Sequence, residues 1–435
     1  MPDVEHLISR HFRVNSGVLA FGQQVGVDSI VAQFGTPIFV YDSTVLDDKL
    51  RILKNTLPKE FSISYSVKAN PCQAILKHFL KGGCGLEIAS GGEFFQARQA
   101  GCEASDIVFA GPGKTEEELE YVLSNDIGEI HAESLVEIDR ISKISERLGV
   151  KAHVAIRVNP TGEALGGAMR MGGQSTPFGV DEEMLDHIVP YIENNPFLEF
   201  RGLHLFSGTQ ILDHTVLVSQ YRKGVAIARE IVKKINRPLS TVDFGGGWGI
   251  PYFGKEIELD TRQLAEGLEV LMTEVRGDEA FAGTKFMVEP GRFLVGEAGV
   301  YITTITDIKV SRGKKFLVVD GGMHHHLAAS GNFGQVIKKN FPVCLLNKLS
   351  QPAEETIDVV GPLCTPLDML ARQVQLPQAE IGDVVGVLQS GAYGRTSSPL
   401  QFLGHCSPPE VLVANREARL VRQRGTYEDM VRDCR

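Results

Sequence analysis

Residues 61–71 read FSISYSVKANP. Phe61, Ile63, Tyr65 and Val67 alternate with Ser62, Ser64, Ser66 and Lys68. That is a period of two, so the apolar residues share one face of a strand and the polar residues share the other. Asn70-Pro71 ends the strand, because the residue before a proline is kept extended and the proline cannot continue a ladder. Lys68 is therefore expected at the C-terminal end of a strand, above small hydroxyls that leave room around a ligand.

Outward from this stretch, strand-like and helix-like segments alternate. The predicted strands are 61–68, GLEIAS (85–90), DIVFA (106–110), GEIHA (128–132), KAHVAIRVN (151–159), EFRGLHLFS (199–207), STVDFGG (240–246) and TKFMVEPG (284–291). Helix-like stretches separate them, one opening with a capping-box pattern of Thr115 and Glu118. Eight strands, each followed by a helix, predict an α/β fold with a (β/α)8 barrel over 43–292. The Gly-rich connection 160–179 is too long for a plain link and is expected to cover an active site. After residue 292 the pattern becomes strand-rich and turn-broken, predicting a mostly β domain from 293–435, which the extended segment 1–42 joins.

A chain of 435 residues needs more than one core. The formal net charge of -10 argues against a nucleic-acid footprint. No apolar run approaches the ~18 residues that span a bilayer, so no membrane association is expected. The N-terminus carries acids early and lacks the apolar core of a signal peptide. The seven cysteines are scattered and form no CxxC pair, which fits free thiols in a reducing, cytoplasmic compartment.

A barrel enzyme keeps its chemistry at the C-terminal ends of its strands. Those ends offer Lys68, then Glu87, Arg157, the run from His204 to Thr209, Gly245-Gly246-Gly247, and finally Glu289 with Arg292. Successive backbone N–H groups with no Cβ in the way can wrap a phosphate. An amine, a phosphate cradle and a carboxylate together suggest pyridoxal phosphate, which needs a partner for its aldehyde, its phosphate and its ring nitrogen. His324-His325-His326 are read as loop-lining residues near Asp320 rather than metal ligands, because neighbours on a strand point to opposite faces; no metal is expected.

The motifs YSVKANP, SGGE, GLHLFSGTQ, VDFGGGWG, EPGR, GPLCTPLD and GAYGR occur in that order along nearly the whole chain. Together they resemble the barrel-fold (fold type III) pyridoxal-phosphate decarboxylases, the family of diaminopimelate and ornithine decarboxylases. The resemblance implies Lys68 as the Schiff-base lysine and Glu289 as partner of the pyridine nitrogen. It implies Gly245, Gly246, Gly247, Thr209, Arg292 and Tyr393 as the phosphate-binding set, with Glu87 and Arg157 lining the cofactor. It also implies that Cys364 is inserted from a neighbouring subunit, hence a homodimer with shared active sites. A thiol there is a plausible proton donor to the carbon that loses its carboxylate.

Two positions depart from the family pattern. Phe206 stands where members usually carry a second histidine that stacks on the cofactor ring. Thr365 follows the cysteine, where diaminopimelate and ornithine decarboxylases carry an acid facing the substrate's distal amine. Its absence removes a charge-assisted hydrogen bond of roughly 1.5–3 kcal/mol. GPLCTPLD, SPLQFLGH and VDGGMHHHLAASGNFG resemble instead the branch that includes decarboxylases of carrier-protein-linked glutamate and exosortase-associated decarboxylases. The expected substrate is thus a modified or carrier-linked amino acid with a free α-amino acid head, an acyl carrier protein being the partner in the second case, and with Asp320, Thr365 and Asp368 facing it. The alternatives are diaminopimelate decarboxylase itself and an amino-acid racemase on the same fold.

Overall fold

The computed structural model describes residues 4–161, 169–170, 175–206, 208–333, 335 and 338–435. Residues 162–168 and 171–174 of the expected active-site cover lie outside the described residues. The chain forms two compact units, one of residues 50–250 with 258–291 and one of 1–49 with 251–257 and 292–435.

In the first unit eight strands follow one another around a closed ring: β1 (Phe61–Ser66), β2 (Gly85–Ile88), β3 (Ile107–Phe109), β4 (Glu129–Ala132), β5 (Ala152–Asn159), β6 (Leu198–Leu205), β7 (Thr241–Asp243) and β8 (Lys285–Val288). All neighbours are parallel, and β8 pairs back to β1 through Phe286↔Phe61 and Val288↔Ile63. The predicted barrel is present. Helices follow the first seven strands. Glu116–Leu123 starts with the expected capping box, Thr115 accepting from Glu118 N while Glu118 reaches back to Thr115 N. Leu135–Leu148 is capped by Ser134 and stopped by Gly149 in the left-handed region, φ 68°. Gly202 lets β6 approach β7, since a Cβ there would overlap the Thr241 carbonyl.

The barrel axis is polar. Thr241 on β7 donates to Glu129 on β4 at 2.8 Å, across two intervening strands, so both side chains point inward. Ser62, Ser64, Glu129 and Thr241 line a cavity of about 390 Å³ at the amino ends of the strands. The alternation read from FSISYS therefore faces its hydroxyls into the barrel. β1 ends two residues earlier than its pattern suggested. The Tyr65 hydroxyl donates to the Asn70 carbonyl at 3.1 Å and Asn70 Oδ1 accepts Cys72 N at 3.0 Å, which turns Val67–Ala69 into a single 3₁₀ turn.

The second unit is built on a nine-stranded sheet. Ile38–Asp42 lies inside it, antiparallel to Gly299–Ser311 and parallel to Glu410–Ala414. Phe21, Ile38, Val40, Val300, Ile302 and Val411 pack in its core. No described helix is long and apolar enough to cross a membrane. All seven cysteines are free thiols.

One ion pair in this unit is withdrawn from water. Lys49 and Glu297 are paired with side chains 2% and 1% exposed, and His11 Nε2 lies 3.4 Å from the same carboxylate. Burial alone would raise the Glu297 carboxyl, but Lys49 and His11 override it and hold the group well below the usual range. A depressed carboxylate stabilises fully above its unfolded value of about 4.3 and loses that contribution as pH falls below it. Glu297→Gln leaves the ammonium without its counter-charge and is expected to cost about 3 kcal/mol in urea unfolding at pH 7. The gap to wild type should shrink as the titration is repeated from pH 5 downward.

Candidate active site

At the carboxyl end of β1, the side chain of Lys68 is 44% exposed, and its Nζ lies 2.7 and 2.8 Å from the two oxygens of Glu87. Glu87, at the end of β2, is fully buried and also accepts from Ser66 Oγ. One step further, Glu93 accepts Ala89 N at 2.7 Å. Burial first, and the Glu87 charge second, push the Glu93 carboxyl up to about 7.

Across the barrel, His131 of β4 and His204 of β6 are buried and stacked, with ring centroids 4.4 Å apart at 22°. Burial pushes His204 down to about 4, so at neutral pH it is uncharged. Its Nε2 lies 3.2 Å from Glu289 Oε2, just beyond β8, and donates to it. Asp243, at the end of β7, is fully buried, and its Oδ2 has no hydrogen-bond partner among the described residues. Burial and the Glu289 charge drive Asp243 well up, while contact with the two histidines and Lys68 holds Glu289 down. Glu289 Oε1 is buried and has no hydrogen-bond partner among the described residues. His131, His204 and Glu289 are also the one described group whose donor atoms lie within 4.8 Å of each other, close enough for a cation.

Asp243 also shapes the glycine run, its Oδ1 accepting Gly245 N at 2.7 Å. Gly245 and Gly247 have φ of 64° and 107°, conformations that L side chains rarely adopt. A Cβ on Gly245 would sit 2.6 Å from the Leu205 carbonyl, one on Gly246 2.6 Å from that of Glu289, and one on Gly247 2.9 Å from that of Gly208. Half-buried Phe206 borders the run, and Thr209 is likewise half-buried. Arg157 pairs with Glu133 at 2.8 Å, and its guanidinium lies 4.9 and 5.7 Å from the ring centroids of Phe178 and Phe206. Glu133 in turn accepts from Gly111 N and Gly179 N at 2.8 and 3.0 Å.

These residues fit pyridoxal phosphate. Glu289 is a buried anion with one oxygen still in need of a donor, which a protonated ring nitrogen supplies. The glycine run is a backbone cradle that side chains would fill, and Lys68 is an amine at the same barrel end.

The remaining sequence-predicted residues belong to the second unit. Arg292 lies 3.3 Å from the Tyr252 hydroxyl, with its guanidinium 4.7 Å from the Tyr393 ring centroid, and Tyr393 holds a left-handed φ of 52°. Cys364 is exposed, and Thr365 Oγ1 accepts Leu367 N at 3.3 Å. Asp320 and Asp368, expected to face the substrate, both make hydrogen bonds within their own unit. Asp320 accepts from Thr36 Oγ1 and Thr304 N at 2.5 and 2.9 Å. Asp368, 3% exposed, accepts from Met323 N and Leu363 N at 2.6 and 2.9 Å. Each carboxylate oxygen accepts one hydrogen bond from the unit's own frame. The three consecutive histidines are buried in a turn rather than along a strand; His325 Nε2 meets the Cys406 carbonyl at 3.1 Å and His326 Nε2 meets Ser390 Oγ at 2.9 Å.

Sequence reading passed over His131, Glu133 and Asp243. A signal existed for two of them. Glu129 and His131 alternate in GEIHA as serines do in FSISYS, and Asp243 directly precedes Phe244 and the glycines. Gly246→Ala tests the cradle. It is expected to weaken cofactor retention about tenfold, a loss of ~1.4 kcal/mol, by equilibrium dialysis followed at the cofactor's visible absorbance.

Residues 44–296 match the family described as "Pyridoxal-dependent decarboxylase, pyridoxal binding domain". An L-glutamyl-[BtrI acyl-carrier protein] decarboxylase of Niallia circulans is 37% identical over 94% of this chain and 96% of its own length. A diaminopimelate decarboxylase of Aquifex aeolicus is 32% identical, with 94% of each chain covered. Among solved structures, AQ1208 from Aquifex aeolicus superposes with a TM-score of 0.86 at 30% identity, covering 99% of both chains. A diaminopimelate decarboxylase from M. jannaschii in complex with L-lysine gives 0.87 at 25% identity over 98% of both. With this fold, this barrel-end chemistry and these relatives, the chain belongs to the fold type III pyridoxal-phosphate-dependent decarboxylases.

Proposed function

We propose that the chain removes the α-carboxyl group of an amino acid whose side chain is carried on an acyl carrier protein, a glutamyl thioester being the first case. Thr365 carries this reading. It is neutral, and its hydroxyl is turned to the backbone of its own loop. Asp320 and Asp368, the other carboxyls assigned to the substrate, are already occupied. A free diamino acid would bring a distal ammonium to residues that offer it no carboxylate, and such a charge is costly to leave unpaired. A thioester-linked side chain brings no such charge. The relative named for a carrier-linked glutamyl substrate supports the same choice.

Pyridoxal phosphate, when bound, supplies the electron sink for the bond that loses carbon dioxide. Lys68 is the residue assigned to the cofactor's aldehyde, and Glu87 orients its amine. Glu289 is assigned to the ring nitrogen, its charge favoured by the His204 hydrogen bond. Gly245, Gly246, Gly247, Thr209, Arg292 and Tyr393 are assigned to the phosphate. Phe206 offers an uncharged stacking face, and Arg157, braced by Glu133, lines the mouth. Cys364 Sγ delivers the proton that replaces the carboxylate. In this reading 43–292 bind the cofactor, 1–42 and 293–435 complete the site, and the exposed Cys364 loop serves a second copy in a cytoplasmic homodimer.

Lys68→Ala is expected to abolish the visible Schiff-base absorbance and to lower carbon dioxide release by roughly 10³-fold or more. The substrate is decided by carbon dioxide release from the loaded enzyme offered glutamyl-carrier protein, glutamate, meso-diaminopimelate, lysine, ornithine and arginine. Release is expected from the carrier-linked substrate alone. Turnover of a free diamino acid, or equal turnover of free glutamate, would overturn the carrier reading.

A further inference from the structure

The exposed thiol of Cys364 sits on a loop whose frame is unusually specific. Gly361 N donates to the Asp368 carbonyl at 3.1 Å and Asp368 N donates to the Thr365 carbonyl at 3.2 Å, so residues 361–368 close on themselves. The Asp368 carboxylate then fills the centre of that closure. Its Oδ2 accepts Leu363 N, the residue before the thiol, at 2.9 Å. Its Oδ1 accepts Met323 N at 2.6 Å, tying the loop to the segment that follows the strand Lys314–Val319. A Cβ on either Gly322 or Gly361 would overlap this carboxylate. The two glycines are thus the spaces into which the side chain is set. One buried anion fixes two backbones, and Cys364 stands at the crown between them.

We infer that Asp368 is a positioning residue that sets the place of Cys364, and that it acts on the reaction only through that thiol. The inference rests on the reading of Cys364 as proton donor. An alternative in which Asp368 binds the substrate is opposed by its burial and by the use of both its oxygens. Asparagine keeps the size of the side chain but turns one acceptor into a donor, which faces an N–H with an N–H.

The test has two arms, both on the cofactor-loaded full chain. In hydrogen–deuterium exchange, Asp368→Asn is expected to raise exchange about tenfold in peptides covering 361–369 and 321–325, leaving the strand Glu410–Ala414 unchanged. Gly361→Ala, which puts a methyl group where the carboxylate sits, should give the same pattern. In kinetics, Asp368→Asn should lower kcat about tenfold with KM within about twofold, and should cause no further loss in a Cys364→Ala background. Losses that multiply in the double variant, or unchanged exchange at both segments, would overturn the inference. An unaltered kcat in Cys364→Ala would sink the proton-donor reading instead, and placement of the loop would then stand or fall on the exchange result.

Discussion

Two buried carboxyl groups meet in the barrel axis, and each opposes the charge of the other. Burial and the Glu289 charge push Asp243 up. Glu289 is held down in spite of its burial, by His204, which donates to it, and by His131 and Lys68. Much of the site follows from this opposition. Asp243 Oδ1 also accepts Gly245 N, so the acid that presses on Glu289 fixes the start of the glycine run. The stacked His131 and Glu129 carry the same polar column down to Thr241. A barrel interior of this kind is held by paired polar groups rather than by apolar filling, which suits an end that must receive a charged cofactor.

The barrel was legible because its strands obey a simple period and its helices carry their caps in the sequence. FSISYS needed only alternation to show which face looks inward, and TEEELEYV needed only Thr115 and Glu118 to show where a helix begins. The glycine run and Lys68 were legible because their chemistry is local: a few adjacent residues suffice to recognise them. His131, Glu133 and Asp243 were not, because their importance lies in partners far along the chain. Glu133 matters through Arg157, Gly111 and Gly179, and nothing within EIHAES announces those contacts. The early end of β1 is local by contrast, set by hydrogen bonds of Asn70 with Tyr65 and Cys72 that the alternation alone does not announce.

Asp320 and Asp368 show what sequence neighbourhood leaves out. Each stands beside residues expected to meet the substrate, and a carboxylate in such company invites a binding role. The structure adds that each of their oxygens has a donor within its own unit. Contacts of that kind are made by residues distant in sequence, such as Thr36 with Asp320 and Met323 with Asp368.

The loop 361–368 therefore separates two duties that many binding loops combine. Its shape is set by Gly361 and Asp368 at its ends, together with Gly322, whereas the side chain at 365 takes no part in anchoring it to the rest of the unit. On the proposed function, substitution at 365 changes what the loop greets without changing how the thiol is held. Such an arrangement would make the position cheap to vary over evolutionary time and let one scaffold drift between small free substrates and tethered ones.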